Sequence, residues 1–408
     1  TNANRHALWG GGGLTISERS DILYLLTDFF SNNEEKGTTM ERDYILMNKN
    51  LPLTSFHLKD IGSELFTLSN ITQLHDSPYN AEVLEELLVS RKPAKNREYL
   101  EKLLQQMRIN SISEYLDISY GLSLNDTLWF KPADADDSIT WDSVNHYTNT
   151  FNVDIAEYML TGQALAGLHV RTTSPEFGTN GILPKCWHRE EDGQIYLYKG
   201  GTSGCCNTGN EPYSEYMCSS ILAAMGMKNF VPYTLKCYYG HLVSSCPMFT
   251  SKEVGYTPVC NYSNPKTFMQ IVSLFESLGL REQFEDHLIF DALVYNTDRH
   301  LNNYGFLRDN DTYKVVGMVP IFDNGCGMLP YYTLDRDIDE YAKKYDYQNS
   351  GLSNDDIFAL CLKDRHKKML SHLIDFTFPK HPLFDLPEER IKRLEDLLQR
   401  RIQYILSK

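Results

Sequence analysis

Two hydrophobic periods alternate along this chain, and they divide it into elements. Ser20–Phe30 carries apolar residues at helical spacing, and Ser31–Thr39 is a polar break. Asp43–Met47 and Leu53–Leu58 predict short strands around an Asn-Lys-Asn turn. Ala81–Leu88 and Asn96–Met107 predict two amphipathic helices parted by Lys92-Pro93. Pro184–Trp187 and Ile195–Lys199 predict strands about the turn Glu190-Glu191-Asp192-Gly193, then a loop over Gly201–Asn210. Tyr213–Met225 predicts a helix stopped by Gly226. Val231–Tyr239 and Leu242–Phe249 predict a hairpin about Gly240. Pro265–Leu278 and Arg281–Tyr295 are helical in pattern, and Tyr304–Arg308 and Tyr313–Met318 read as strands around Asp309-Asn310-Asp311. After Asp323 the pattern is irregular to about Ser353, and the chain finishes in helices, including Pro387–Leu406. The mixture predicts an α+β protein without internal repeats.

Composition narrows the picture. With 408 residues, 42% hydrophobic and 23% charged, the chain can bury a large core in two or three packed units. Four consecutive glycines, Gly10 to Gly13, make residues 1–13 a flexible tail. No apolar stretch is long enough to span a bilayer and no signal sequence is visible, so a cytoplasmic protein without membrane contact is expected. Nine cysteines without Cys-x-x-Cys spacing, including the adjacent Cys205-Cys206, read as reduced thiols. A net charge of −15 argues against a general nucleic-acid surface.

Chemistry concentrates in Asn296-Thr297-Asp298-Arg299-His300-Leu301-Asn302-Asn303-Tyr304-Gly305. An Asp followed five residues later by an Asn is the spacing of a kinase catalytic loop, although the usual His-Arg-Asp order is here Asp-Arg-His. Pro320-Ile321-Phe322-Asp323-Asn324-Gly325 then puts a carboxylate on a tight turn after an apolar run. Either motif alone arises readily by chance or as a turn. Together, in order and separated by a hairpin, they are far more specific. Asp298 is the candidate base, and Asn303 and Asp323 are the candidate metal ligands. His300 either orients Asp298 or packs beneath the loop.

Asn-Thr-Asp-Arg-His-x-x-Asn-Tyr-Gly followed by Pro-Ile-Phe-Asp-Asn-Gly resembles the HipA-like serine/threonine kinases of bacteria. The resemblance covers roughly 165–408 and implies a bilobal kinase-like fold. A β-rich small lobe would occupy 161–250 and a helical large lobe 251–408, behind a mixed α/β accessory domain over 1–160. Leu116–Pro132 resembles a segment preceding the kinase core in clostridial-type members, and Trp129 and Trp141 are expected to dock the accessory domain on the core.

The same resemblance implies ATP and magnesium as cofactors and a protein serine or threonine as acceptor. It places Lys199 on the nucleotide phosphates with Glu215 as its ion-pair partner. It implies a phosphate-covering role for the loop with Gly178 and Gly181, added charge from Lys185, and adenine pairing by backbone near Met248. Each has a plainer reading: a strand-end lysine, a helix-dipole acid, a surface loop, a packed hinge. Thr172, Thr173, Ser174 and Thr179 crowd hydroxyls into the loop, and family members carry a modifiable serine there. Autophosphorylation is therefore expected, at Ser174 first, since Pro175 keeps it extended.

Some family members are toxins neutralised by a DNA-binding partner. No helix-turn-helix stands out here, so an antitoxin-like partner would be a separate protein and no direct nucleic-acid contact is expected. A phosphoinositide or small-molecule kinase of the same fold is the alternative enzyme. A kinase-like binding protein acting through 1–160 is the alternative of another class, although intact Lys199, Asp298, Asn303 and Asp323 speak against a degenerate site.

Overall fold

The described residues form three antiparallel sheets, and the candidate residues lie on the second of them and on the helix and loops beside it and the third. A computed structural model of the chain describes residues 40–62, 65–93, 97–163, 172–204, 208–348 and 351–408. The predicted tail 1–13, the helix Ser20–Phe30, the break Ser31–Thr39 and Cys205-Cys206 lie outside the described residues. The first sheet has the order β3-β2-β1-β4, with β1 Glu41–Asn48, β2 Leu51–Gly62, β3 Leu65–Gln73 and β4 Leu128–Pro132. β1 and β2 sit where the alternation predicts them, joined at Lys49 with a left-handed φ of 50°. β3 and β4 are additions, and β3 is an edge strand whose side chains are largely exposed, so burial never forced a clear alternation on it.

Helices Ala81–Ser90 and Glu98–Gln106 match the amphipathic pattern. Ile112–Ser119 and Val153–Thr161 were not anticipated, yet each carries local signals. Ser111 and Asn152 cap their first turns, and Gly162 closes the second in the left-handed conformation. Together with the first sheet they enclose a core that includes Tyr44, Phe56, Tyr115 and Phe130, and Phe177 of the following loop enters it.

The second sheet, β5-β6-β8-β7, consists of β5 Lys185–Arg189, β6 Ile195–Gly200, β7 Thr234–Tyr238 and β8 His241–Pro247, with helix Glu211–Ala224 between β6 and β7. Trp129 and Trp141 share a buried cluster with Ile195 of β6, against which Met248 also packs, so they join the first sheet to the second. The third sheet pairs the predicted hairpin, β10 Gly305–Asp309 and β11 Val315–Met318, with an unpredicted β9, Val254–Pro258. Helices Phe268–Ser277, Arg281–Val294, Asn354–Cys361, Asp364–Ser371 and Glu388–Leu406 contribute to the remaining cores. The stretch read as irregular after Asp323 contains one short helix, Ile338–Ala342, and a 3₁₀ turn at Lys343–Tyr345. Among the described residues no helix is long and apolar enough to cross a membrane.

One aromatic stack fixes the exit of the Asp298–Asn303 loop. Phe275 lies on Phe284 with ring centroids 4.4 Å apart and 7° between planes, and it meets Phe306 of β10 at 5.0 Å. Phe284 in turn stacks near Tyr304, the residue after Asn303. Phe275→Ala should therefore cost about 3–5 kcal/mol, the range for truncating a buried Phe. A urea titration followed by far-UV dichroism checks it, and an unchanged midpoint would show that the stack contributes nothing.

Candidate active site

Alternation along β6 turns Ile195, Leu197 and Lys199 to one face and Tyr196 and Tyr198 to the other, and Lys199, only 4% exposed, lies near the end of the strand. Glu215 stands one turn into helix Glu211–Ala224 and is fully enclosed. Lys199 Nζ donates to Glu215 Oε1 and also to Asp323 Oδ1. The other Glu215 oxygen accepts the Asn324 N–H at 2.7 Å, so one carboxylate ties the lysine to the Asp-Asn-Gly turn. Asp323 itself adopts a left-handed φ of 58°, a conformation that non-glycine residues adopt rarely. Its own N–H donates to the Tyr233 hydroxyl at 3.2 Å.

The two predicted motifs are joined by Arg299, whose role the sequence left open. Its guanidinium makes a two-pronged pair with Asp291, Nε and Nη2 each 2.9 Å from a carboxylate oxygen. Nη2 also reaches Asn324 Oδ1 at 2.6 Å, and Nη1 reaches the carbonyls of Asn303 at 3.3 Å and of Phe322. One buried cation thus holds helix Arg281–Val294, the Asp298–Asn303 loop and the Asp323 turn together. Asp291 was missed. The available signal was a lone acid inside the apolar run Ile289-Phe290-Asp291-Ala292-Leu293-Val294. Burial of a charge in such a run requires a partner.

Asp298 is exposed, and Asn303 is buried with its side-chain amide donating to the Asp298 carbonyl at 3.1 Å. That bond leaves the Asn303 amide oxygen as the atom available to a cation. His300 is exposed and accepts the Asn302 N–H at 3.3 Å, so it braces the loop and does not pack beneath it.

Among the described residues no cluster of three or more His, Cys, Asp or Glu side chains could cage a metal. One carboxylate and one amide oxygen, Asp323 and Asn303, are nonetheless a donor set that suits magnesium shared with phosphates.

The remaining predicted residues fall around Lys199 in different ways. Lys185 opposes Lys199 directly across β5 and β6. It is buried, and its Nζ donates to the Asn180 carbonyl at 2.9 Å beneath Gly181. Gly181 has a φ of 98°, a conformation that L side chains rarely adopt, so glycine suits the position. Gly178 instead lies on the backbone of Leu122, where a Cβ would come 2.7 Å from the carbonyl oxygen. The Met248 N–H is spent on Ile195 O at 2.8 Å, inside the sheet. Ser174 is 1% exposed and donates to the buried Glu176 carboxylate, which also accepts the Trp187 N–H at 2.8 Å.

Electrostatics follow from this packing. Burial alone would strip Lys199 of its proton, but Asp323 and Glu215 outweigh it and hold the ammonium charged. Burial likewise pushes the Asp323 carboxyl up, yet Lys199 and Lys185 pull it well below the usual carboxylate range. The Asp298 carboxyl lies above that range, because crowding by protein disfavours its charge and Asp323 adds repulsion against the pull of His300 and Arg299. Burial, with Lys199 adding repulsion, lowers Lys185 to about 7.

No protein-family model matches the chain. Serine/threonine-protein kinase CtkA of Helicobacter pylori is 28% identical over 182 residues, 38% of this chain and 52% of that protein. The chain thus spans about half the length of the curated relative it matches. Among solved structures, HipA of Shewanella oneidensis, in complex with HipB and operator DNA, aligns with a TM-score of 0.50 at 12% identity, covering 90% of this chain and 99% of that one. The crystal structure of the H. pylori proinflammatory kinase CtkA aligns with a TM-score of 0.42 at 19% identity, covering 55% of this chain and 93% of that one. The fold is kinase-like, of the α+β class read from the sequence. The chain is thus similar in sequence to a serine/threonine-protein kinase and in fold to HipA, in keeping with the resemblance of its motifs.

Lys185 gives the site a measurable pH signature. Its folded pKa of about 7 lies below the ordinary lysine value, so the unfolded chain holds more protons between those limits. Its contribution is therefore least favourable below pH 7 and improves as pH rises toward 10. Lys185→Met should gain stability over the native chain at pH 6–7 and lose that gain near pH 10, in melting curves across this range. A constant difference between the two proteins would show that Lys185 titrates normally.

Proposed function

We propose that this chain is an ATP-dependent kinase that transfers the γ-phosphate to a serine or threonine hydroxyl of a protein. The observation that carries the reading is Lys199, held between Glu215 and Asp323 on a frame that Arg299 shares with the Asp298–Asn303 loop. In this reading Asp298 accepts the proton of the acceptor hydroxyl, whose oxygen forms the new bond to phosphorus as the bond to ADP breaks. Its carboxyl, lifted above the usual range, suits a base that must take up a proton near neutrality. Lys199 grips the phosphates, and Glu215 keeps it extended. Asn303 and Asp323 would hold magnesium, which when bound offsets the charge of the transferring phosphoryl group. Lys185 adds charge beside the Gly178–Gly181 loop, and hinge backbone around Met248 would take the adenine edge. Because the Met248 N–H is already used, its carbonyl or a neighbouring amide is the group to serve there.

The domain scheme read from the sequence, 1–160 as accessory domain and 161–250 and 251–408 as the two lobes, belongs to the same proposal. So does an antitoxin-like partner, since HipA of S. oneidensis is seen with HipB and DNA. A cytoplasmic setting accords with the seven free cysteines among the described residues.

Two experiments test the reading. Asp298→Ala should bind Mg-ATP as the native chain does while losing at least a hundredfold in turnover, the low end for removing a general base. Asp323→Ala should lose magnesium-dependent nucleotide binding as well. Calorimetric titration with and without magnesium, beside a phosphoryl-transfer assay, separates the two, and undiminished turnover in Asp298→Ala would sink the assignment.

The second concerns autophosphorylation at Ser174. In the packed conformation its hydroxyl is shielded, so the loop must swing out before modification. A phosphate of roughly −1.5 to −2 charge would then meet Glu176 on return and keep the loop displaced. Intact-mass measurement after Mg-ATP should show an added phosphate in the native chain and none in Asp298→Ala. A phosphate mapped only outside Thr172–Thr179 overturns the assignment to this loop.

A further inference from the structure

Arg97, just ahead of helix Glu98–Gln106, is 2% exposed, and its guanidinium points away from its own helix. It donates to three backbone carbonyls at the base of one loop: Nη1 to Glu176 at 2.7 Å and Thr179 at 2.8 Å, Nη2 to Lys185 at 3.3 Å. Burying a guanidinium is costly, and burial indeed lowers it to about 10, with Glu176 opposing. Such a group is retained where its fixed fork of donors meets acceptors that a flexible ammonium cannot serve together.

Tyr115, in helix Ile112–Ser119, acts beside it. Its hydroxyl donates to the Phe177 carbonyl at 2.8 Å while its ring meets the Phe177 ring edge-on. Gly178 rests on Leu122. Every residue from Glu176 to Thr179 is thereby fastened to the elements that precede the loop in sequence. The loop then runs over Gly181 into β5, where Lys185 faces Lys199.

We propose that Arg97, seconded by Tyr115, is a positioning residue: through it the N-terminal elements set the seat of the Ser174–Pro184 loop and of Lys185, and hence the affinity for nucleotide. The effect on affinity rests on the reading of this loop as the one that covers the phosphates. The fastening itself does not.

The test uses the full chain and the variants Arg97→Ala, Arg97→Lys and Tyr115→Phe. Loss of a hydrogen-bonded fork to carbonyls should raise KM for ATP about tenfold, with kcat changed less than about twofold. Hydrogen exchange across Ser174–Pro184 should accelerate in parallel. Arg97→Lys keeps the charge and loses the fork, so it should follow Arg97→Ala in both readouts. Tyr115→Phe keeps the ring and should move both in the same direction by about threefold, the scale of one neutral hydrogen bond. If Arg97→Ala fails to fold, Tyr115→Phe decides.

Unchanged loop exchange and unchanged KM in the folded variants overturn the proposal, as does an Arg97→Lys protein indistinguishable from the native chain. A fall in kcat at constant KM overturns it too. A native chain that neither binds nor turns over ATP overturns the kinase reading instead, and exchange in the nucleotide-free protein still decides whether Arg97 holds the loop.

Discussion

The pairing of Arg299 with Asp291 is the constraint on which the rest of the site depends. Both side chains are buried, and either charge left there without the other would be costly. Having paid for its burial through Asp291, the guanidinium still has donors for Asn324 and for the carbonyls of Asn303 and Phe322. These fix the backbone on either side of the space between Asn303 and Asp323. Hydrogen bonds from an ionised donor are stronger than neutral ones and less tolerant of misdirection. A lysine in this position would have one ammonium for four acceptors and would leave some buried and unpaired. The Asp-Arg-His order, unusual against the familiar His-Arg-Asp, therefore has a physical use: it sets the arginine directly after the candidate base and turns it inward.

The second constraint is competition for Lys199. One ammonium serves two carboxylates, and the deeper of them, Glu215, is also committed to the Asn324 N–H. Asp323 is the less deeply buried partner, at 36% side-chain exposure, so it is the better placed of the two to exchange the lysine for another ligand. Glu215 keeps Lys199 extended in either case. The geometry thus separates a deeply buried contact from a more exposed one, a distinction that composition and spacing alone do not express.

What could be read from the sequence was whatever depended on neighbours in the chain. Lys199 ends an alternating strand and Glu215 lies in the helix after it, so their meeting follows from two local patterns and one short loop. The β10–β11 hairpin and the long helices follow likewise. β9 escaped because its five residues include Gly255 and end in Pro258, both weak strand formers, and because it pairs with β10 some fifty positions away. Asp291 was visible only as an acid in an apolar helix. Arg97 left no trace at all, since its partners are backbone carbonyls, which any sequence supplies. The same holds for Met248, whose N–H is occupied by a strand pairing that no side chain announces.

In the kinase reading, the balance of charge in the site bears on how an acidic protein of net −15 would gather a polyanion. Lys185, Lys199 and Arg299 face Glu215, Asp291, Asp298 and Asp323. Arg299 is consumed by Asp291, and Lys199 is shared between two acids. Lys185, near 7, is only partly charged at neutral pH. Two of these three cations are thus already answered by carboxylates, and among these described groups there is no standing excess of positive charge to attract a nucleotide over distance. Within the kinase reading, the nucleotide must then arrive with its charge partly neutralised by a divalent ion, or recruit a proton onto Lys185 as it binds. Both routes raise the local positive charge only when phosphate is present, so the empty site does not store unpaired cations in its interior. That accounts for a buried lysine beside a second one without an ion-pair partner of its own: burial and Lys199 lower its proton affinity, and in the kinase reading a phosphate would raise it again.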